Sequence, residues 1–355
     1  MTLKNNKILI FKSDKVGDLI HFSPCINIIK ENIQNPHITL VCSNYNYQVA
    51  KNYKSIDKFI ILDNNKFFKT LLNNFKTFFL TKYLYLFQFD GKSNSYRISY
   101  FVNASIKSTI CFVKIKKILG KNFKITRPSI FFLKIFFKKY LFRDENNNKD
   151  TKKLTGSYQK LYFDILEDLD FKIKSKQNIF TLDKSYEKEF DNIYENKIKK
   201  KYFLFHIDER WDTFNKEIYE KISILIDKIC KKNMLIITTG VKDFVYLNLL
   251  EKKYKTFNYN NNNFLNIESD LNLDAIILKN MPLNLLAYFI KNSEKNFSAH
   301  SGPIVHIGAA FGVDTIDIIK KNKNDELNRW IPIISNYTKI NFEDIKDDYI
   351  DNFNI

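Results

Sequence analysis

The chain is poor in cysteine, glycine, proline and long apolar runs. Four cysteines, Cys25, Cys42, Cys111 and Cys230, are scattered through 355 residues. Their spacing matches no metal site. Cys25, Cys42 and Cys230 lie in apolar segments, so the cysteines read as free, buried thiols of a reducing compartment. No apolar run reaches the ~18–20 residues that span a bilayer. No signal-peptide layout is present either, because Lys4 to Lys7 leads straight into a short strand. The expected location is therefore cytoplasmic or peripheral on the inner face of the membrane. A His-Glu-x-x-His pattern and an Asp-x-Asp pair at a strand end are also missing, so no metal site is expected. Helix-turn-helix, zinc-finger and RNP patterns are absent, which argues against nucleic acid as a partner.

The eight glycines and six prolines accompany an excess of Asn, Lys, Ile and Phe, with 33 Phe. This is a compositional bias, and Asn-rich runs such as Asn258 to Asn263 carry no functional argument. Hydrophobic residues make up 45%, enough to build the cores of two ordinary domains. The net charge is +18, which suits nucleic acid, an anionic membrane or a phosphorylated substrate. Lys114 to Lys139 holds nine Lys or Arg and no acid, interleaved with Phe131, Phe132, Phe136 and Phe137. Lys134 and Lys138 fall on one helical stripe. Between Lys66 and Tyr83, Phe68, Leu71, Leu72, Phe75, Phe78 and Phe79 form an apolar face flanked by Lys69, Asn73 and Lys76. Two readings stand for these stretches. The helices cover the N-terminal sheet with their lysines in solvent, or they lie on an anionic membrane or lipid-held acceptor.

Strand and helix alternate in the first half. Strands are expected at 8–11, 37–42, 58–62, 83–89 and 109–112, with helices at 19–32, 47–52, 67–80 and 95–101. The second half repeats the pattern. Its expected strands are 202–207, 234–238, 273–277, 296–298 and 314–319. Helices are expected at 216–231, 241–252, 283–292 and 303–311. Alternation of this kind predicts parallel sheets covered by helices on both faces. The chain divides into a first domain at 1–170, a linker at 171–183 and a second domain at 184–335. A final segment, 336–355, is expected to pack back on the first domain.

Two turns look like sites. In the first, the strand 8–11 runs into Lys12-Ser13-Asp14-Lys15-Val16-Gly17-Asp18, which places Asp18 at a strand's carboxyl end and a helix start. Open α/β sheets bind ligands there, although Asp also serves as an ordinary helix cap. In the second, strand 296–298 leads through His300-Ser301-Gly302 into a helix opening at Pro303. Pro suits a first helical turn because its missing N–H is not needed. The free backbone N–H groups of that turn attract phosphate. Gly308, Ala309, Ala310 and Gly312 then let the helix approach its sheet closely.

These segments together resemble glycosyltransferase family 9, the heptosyltransferases of the lipopolysaccharide core. The residues that carry the likeness are Val16-Gly17-Asp18 with Pro24, and His300-Ser301-Gly302-Pro303 with His306 and Gly308-Ala309-Ala310. Weaker matches are Asp208-Glu209-Arg210-Trp211, Ile236 to Gly240 and Met281-Pro282-Leu283 to Ile290. They keep their order over residues 7–335. The resemblance implies a GT-B fold, two Rossmann-like domains facing a central cleft. It also implies an inverting, metal-independent transfer of a heptose or related sugar from a nucleotide-diphosphate donor, ADP-linked, to a lipopolysaccharide core or other surface glycan. No cofactor beyond that donor is implied. The partners implied are the nucleotide sugar and a phosphorylated, lipid-linked glycan acceptor at the inner membrane face.

By the same resemblance Asp18 is the base that activates the acceptor hydroxyl. Arg210, Trp211, Thr239, Gly240, His300, Ser301, Gly302, Pro303 and His306 would bind the donor. Ser13, Lys15 and Gly17 would line the acceptor side. Read from its residues alone, Trp211 is equally suited to core packing and His306 to bonding within its domain. The chain departs from the family pattern at Glu209, where Lys is usual, and at His300, where Asp is usual. A Gly-Pro-Thr turn is missing near Asp317 to Asn322. These departures leave a second expectation, a catalytically inactive nucleotide-sugar-binding or partner protein of the same fold.

Overall fold

The computed structural model describes residues 6–118, 121–144, 158–198, 200–208, 216–231, 233–240, 245–261, 274–298, 302–321 and 328–345. The chain divides into two units, Met1–Asn178 and Ile179–Ile355.

The first unit is built on β1 (Lys7–Phe11), α1 (Val16–Asn32), β2 (His37–Cys42), α2 (Asn44–Ala50), β3 (Lys58–Ile61), α3 (Phe67–Asn73), β4 (Tyr83–Gln88), α4 (Ser93–Phe101), β5 (Ala104–Ile118), β6 (Lys121–Arg127), α5 (Ile130–Phe136), β7 (Lys139–Asp144) and α6 (Tyr158–Glu167). A π-helical turn, Lys76–Leu80, follows α3. The strands run β3-β2-β1-β4-β5, with β6 and β7 both on β5. All pairings are parallel except β5 with β6. Leu9, Phe11, Val41 and Leu86 face a core shared with Phe67 and Leu71 of α3, Phe78 of the π turn, Tyr96 and Ile98 of α4 and Leu133 of α5. These segments therefore cover one sheet face. Tyr100 of α4 stacks on Phe132 and Phe136 of α5, with ring centroids 5.1 and 4.9 Å apart. On the opposite face α1 and α6 meet through Phe22 and Tyr162, 5.2 Å apart.

Helix α1 contains Pro24, which cannot donate to the Ile20 carbonyl four residues back. The Ser23 hydroxyl donates to that carbonyl instead, at 2.6 Å. The sharp bend after β4 depends on Gly91, whose φ is +65°. A Cβ there would lie 2.5 Å from the Phe112 ring. Gly91→Ala is expected to cost about 1–2 kcal/mol in backbone strain, with a similar amount from overpacking. A lowered urea midpoint with an unchanged m-value would show it.

The second unit comprises α7 (Glu187–Ile193), β8 (Tyr202–Ile207), α8 (Lys216–Cys230), β9 (Met234–Thr239), α9 (Val245–Glu251), β10 (Lys255–Asn258), β11 (Ala275–Lys279), α10 (Leu283–Asn292), β12 (Lys295–Ser298), α11 (Gly302–Phe311), β13 (Asp314–Ile319) and β14 (Tyr337–Asn341). Its strands run β10-β11-β9-β8-β12-β13-β14, all parallel. Phe205, Ile207, Ile237 and Phe297 pack against Ile222, Leu225 and Ile226 of α8 and Leu247 of α9.

One expectation is corrected. The basic stretch from Lys114 to Lys139 is not one helical surface. Residues 112–118 and 121–127 pair as an antiparallel hairpin, and only Ile130–Phe136 is helical. Lys138 consequently falls beyond the helix that was to share its stripe with Lys134. Within the segment 336–355, Tyr337–Asn341 adds an edge strand to the second sheet through β13. Its alternating Tyr-Thr-Lys-Ile-Asn pattern suits a sheet edge. Residues 346–355 lie outside the described residues.

Candidate functional site

In each unit the strand order reverses at one place, and the carboxyl ends flanking that place form the usual ligand crevice of such sheets. In the first unit it lies between β1 and β4. The chain leaving β1 carries Lys12, Ser13, Asp14, Lys15, Gly17 and Asp18, and the chain leaving β4 carries Asp90.

Lys12 is a buried cation, 1% exposed. Its Nζ donates to Asp14 Oδ2 at 2.6 Å, to the Phe89 carbonyl at 3.2 Å and to the Tyr162 hydroxyl at 3.0 Å. It also stands 5.2 Å from the Tyr162 ring centroid. Burial opposes its charge, but Asp14, Tyr162 and Asp18 outweigh burial and hold the ammonium above the usual lysine range. Asp14 is pushed up to about 7, chiefly by burial, against the pull of Lys12. Asp18 and Asp90 add to that push by like-charge repulsion.

Asp90 is a post between the two loops. Its carboxylate accepts from the Ser13 N–H at 3.2 Å, the Ser13 hydroxyl, Ser95 Oγ at 2.6 Å, Gln88 Nε2 at 2.7 Å and the Lys92 N–H at 2.9 Å. Ser13, expected on the acceptor side, is thereby fixed. Gly17 is buried in the first turn of α1, and Lys15, its N-cap residue, is exposed. Asp18 is the third residue of that helix and accepts from the Lys15 N–H at 3.4 Å. It is thus not the cap residue itself; it reaches back to the cap, as an acidic residue at this position often does.

In the second unit the reversal lies between β8 and β12. Register places Thr238, His206, Ser298 and Asp317 side by side on β9, β8, β12 and β13. All four are buried. His206 Nδ1 is 2.9 Å from Thr238 Oγ1, and Tyr337 donates to Asp317 Oδ2 at 2.8 Å. Thr239 ends β9 beside β8, and the N–H of Gly240, the next residue, donates to the Ile207 carbonyl at 3.2 Å. Helix α11 begins at Gly302 with Pro303 second, one residue earlier than expected. Its close approach to the sheet requires Gly308, where a Cβ would lie 2.5 Å from Thr315 Oγ1. His306 is buried in this helix. Glu209, Arg210, Trp211, His300 and Ser301 lie outside the described residues. Among the described residues no three His, Cys, Asp or Glu come together as a metal site.

Sequence reasoning missed Lys12, Asp14, Asp90 and the His206 row. A signal existed for each. Lys12 continues an apolar strand without a break, and Asp90-Gly91 follows β4 as Asp18 follows β1. The strands of the second sheet each carry one or two polar residues near their carboxyl ends.

No protein-family model and no curated protein matches the chain. Solved structures do. A glycosyl transferase family 9 protein from Veillonella parvula is 14% identical, with a TM-score of 0.68 over 96% of this chain and 87% of that one. E. coli ADP-heptose lps heptosyltransferase II is 10% identical, with a TM-score of 0.66 over 98% and 97%. E. coli heptosyltransferase WaaC, solved with ADP, is 13% identical, with a TM-score of 0.59 over 98% of both chains. The two units and their strand orders are accordingly a GT-B fold, two Rossmann-like units of the kind these glycosyltransferase structures have.

Proposed function

We propose that the chain is an inverting glycosyltransferase that moves a heptose or related sugar from an ADP-linked donor to a lipopolysaccharide core or other surface glycan. One observation carries the reading. In a chain with this fold, Gly17-Asp18 stands at the strand reversal of one unit, and the helix start Gly302-Pro303 follows a strand at the reversal of the other. The acceptor hydroxyl gives its proton to the Asp18 carboxylate as its oxygen attacks the anomeric carbon. The bond from that carbon to the diphosphate breaks on the opposite face, and its electron pair leaves on the diphosphate oxygen. The backbone N–H groups of Ser301, Gly302 and Ile304, together with Arg210, receive that charge. Trp211, Thr239, Gly240, His300 and His306 complete the donor side, and Ser13 and Lys15 the acceptor side. The acceptor is phosphorylated and lipid-linked, at the inner face of the membrane.

The departures at Glu209 and His300 favour a second reading, a protein of this fold that binds a nucleotide sugar without turning it over. Calorimetry with ADP-heptose, GDP-sugars and UDP-sugars, run beside transfer assays on a lipopolysaccharide acceptor, separates the two. Transfer with one bound donor supports the enzyme. Binding without transfer to any glycan acceptor supports the second reading, and no binding at all sinks both.

A further inference from the structure

Residues 64–143 contain 17 Lys or Arg and one acid, Asp90. Asp90 is buried and occupied by hydrogen-bond donors from the first unit's loops, so this segment offers solvent no carboxylate to offset its cations. The segment therefore carries almost all of the chain's net charge of +18, with nine of its 17 cations on β5, β6 and β7 and the other eight in or beside the helical layer. The same segment supplies α3, the π turn, α4 and α5, which cover a single face of the first sheet. Large apolar side chains on the outer side of that layer are left in solvent. Phe68 is 76% exposed, Leu72 72%, Phe101 69% and Phe131 69%, with Phe75 and Ile135 at half or more. Lys69, Lys76, Lys134 and Lys138 are exposed among them.

We infer that this helical face is a docking surface for an anionic lipid bilayer. Neither half of the pattern explains the other. A soluble helix covering its sheet needs no Phe or Leu on its outer side, and contiguous exposed apolar groups mark an interaction surface. A protein partner with an apolar patch would not need a field of one sign. An anionic bilayer needs both: headgroup phosphates meet the lysines, and the rings enter the boundary with the acyl chains. No helix among the described residues is long and apolar enough to cross a membrane, so the contact is with the surface. The inference deepens the proposed membrane location and rests on it only for the choice of a bilayer as occupant.

Co-sedimentation of the full chain with vesicles tests it, with neither donor nor acceptor present. Its failure thus leaves the transfer reading standing, and failed transfer leaves the docking reading standing. Binding is expected to phosphatidylcholine vesicles containing phosphatidylglycerol and not to phosphatidylcholine alone, and it should weaken as salt rises. Neutralising Lys69, Lys76 and Lys134 to Gln is expected to lower partitioning about 100-fold. The triple variant Phe68→Ser, Leu72→Ser, Phe131→Ser should lower it at least ~10-fold, with an unchanged circular dichroism spectrum because all three side chains are exposed. Equal binding to neutral vesicles, or none to anionic ones, overturns the inference. So does full binding by the serine variant, which would mark a purely electrostatic site. A dimer in sedimentation that the serine substitutions dissolve, with no vesicle binding, would assign the face to a second copy of the chain.

Discussion

Asp18→Asn is expected to lower the rate of sugar transfer by about 10²–10⁴-fold, the usual contribution of a positioned general base, while donor affinity stays unchanged. The amide is the right probe because of what Asp18 does in the helix. Its carboxylate accepts from the Lys15 N–H, and the amide oxygen of Asn can accept the same bond. The start of α1 is preserved and only the proton acceptor is lost. Asp18→Ala removes both and is expected to cost about 0.5–1.5 kcal/mol of stability, the worth of one such hydrogen bond. A comparison of the two variants by single-turnover kinetics and urea denaturation separates the chemical role from the capping role. Full transfer by Asp18→Asn would remove Asp18 as the base.

Lys12→Met is expected to destabilise the first unit by about 3–5 kcal/mol near pH 8, because it strips the partner from a buried carboxylate. Three acceptors lose their donor at once: Asp14, the Phe89 carbonyl and the Tyr162 hydroxyl. The cost should depend on pH in a definite direction. Asp14 in the folded chain titrates near 7, well above its ordinary value of 3.8. Between those values the folded state holds a proton that the unfolded state has lost, so stability falls as pH rises from about 4 to about 7 and levels off above. Without the Lys12 charge the Asp14 value climbs further, so in the variant the fall continues past pH 7. The difference between wild type and Lys12→Met is therefore larger at pH 8.5 than at pH 6. Lys12 titrates only above the ordinary lysine value of 10.5, outside this window. Urea midpoints at the two pH values measure the effect, and an equal loss at both would mean that Asp14 carries no charge for Lys12 to balance. Lys12→Met with Asp14→Asn should recover much of the lost stability, since the uncompensated carboxylate is gone.

Much of this architecture is local and was legible residue by residue. Short runs of Ile, Leu, Val and Phe flanked by polar turns mark β1, β2, β8 and β9, because a strand buried on both faces must be apolar throughout. Observed β2 has the expected ends, His37 and Cys42. Pro303 marks the start of α11, because its ring and missing N–H are tolerated only in a first turn. Asp18 was placed from the same kind of information, since a strand, a Gly-Asp turn and a helix in succession define a carboxyl-end position.

What tertiary structure decided depends on partners far away in the chain. Lys12 reads as part of a polar turn until Tyr162, 150 residues on, closes over it. Asp14 acquires its raised value only when that burial is complete. Asp90 becomes a post only because β4 lies beside β1, a choice of neighbour that no local pattern carries. The stretch from Lys114 to Lys139 has lysines and phenylalanines at spacings that a helix or a strand can use. Cross-strand pairing of 112–118 with 121–127 settled it as a hairpin for most of its length. Charge and apolar content raised a membrane contact as one of two readings of these stretches and could not choose between them. That α3, α4 and α5 share one sheet face, and so present those groups together, followed only from how the sheet packs.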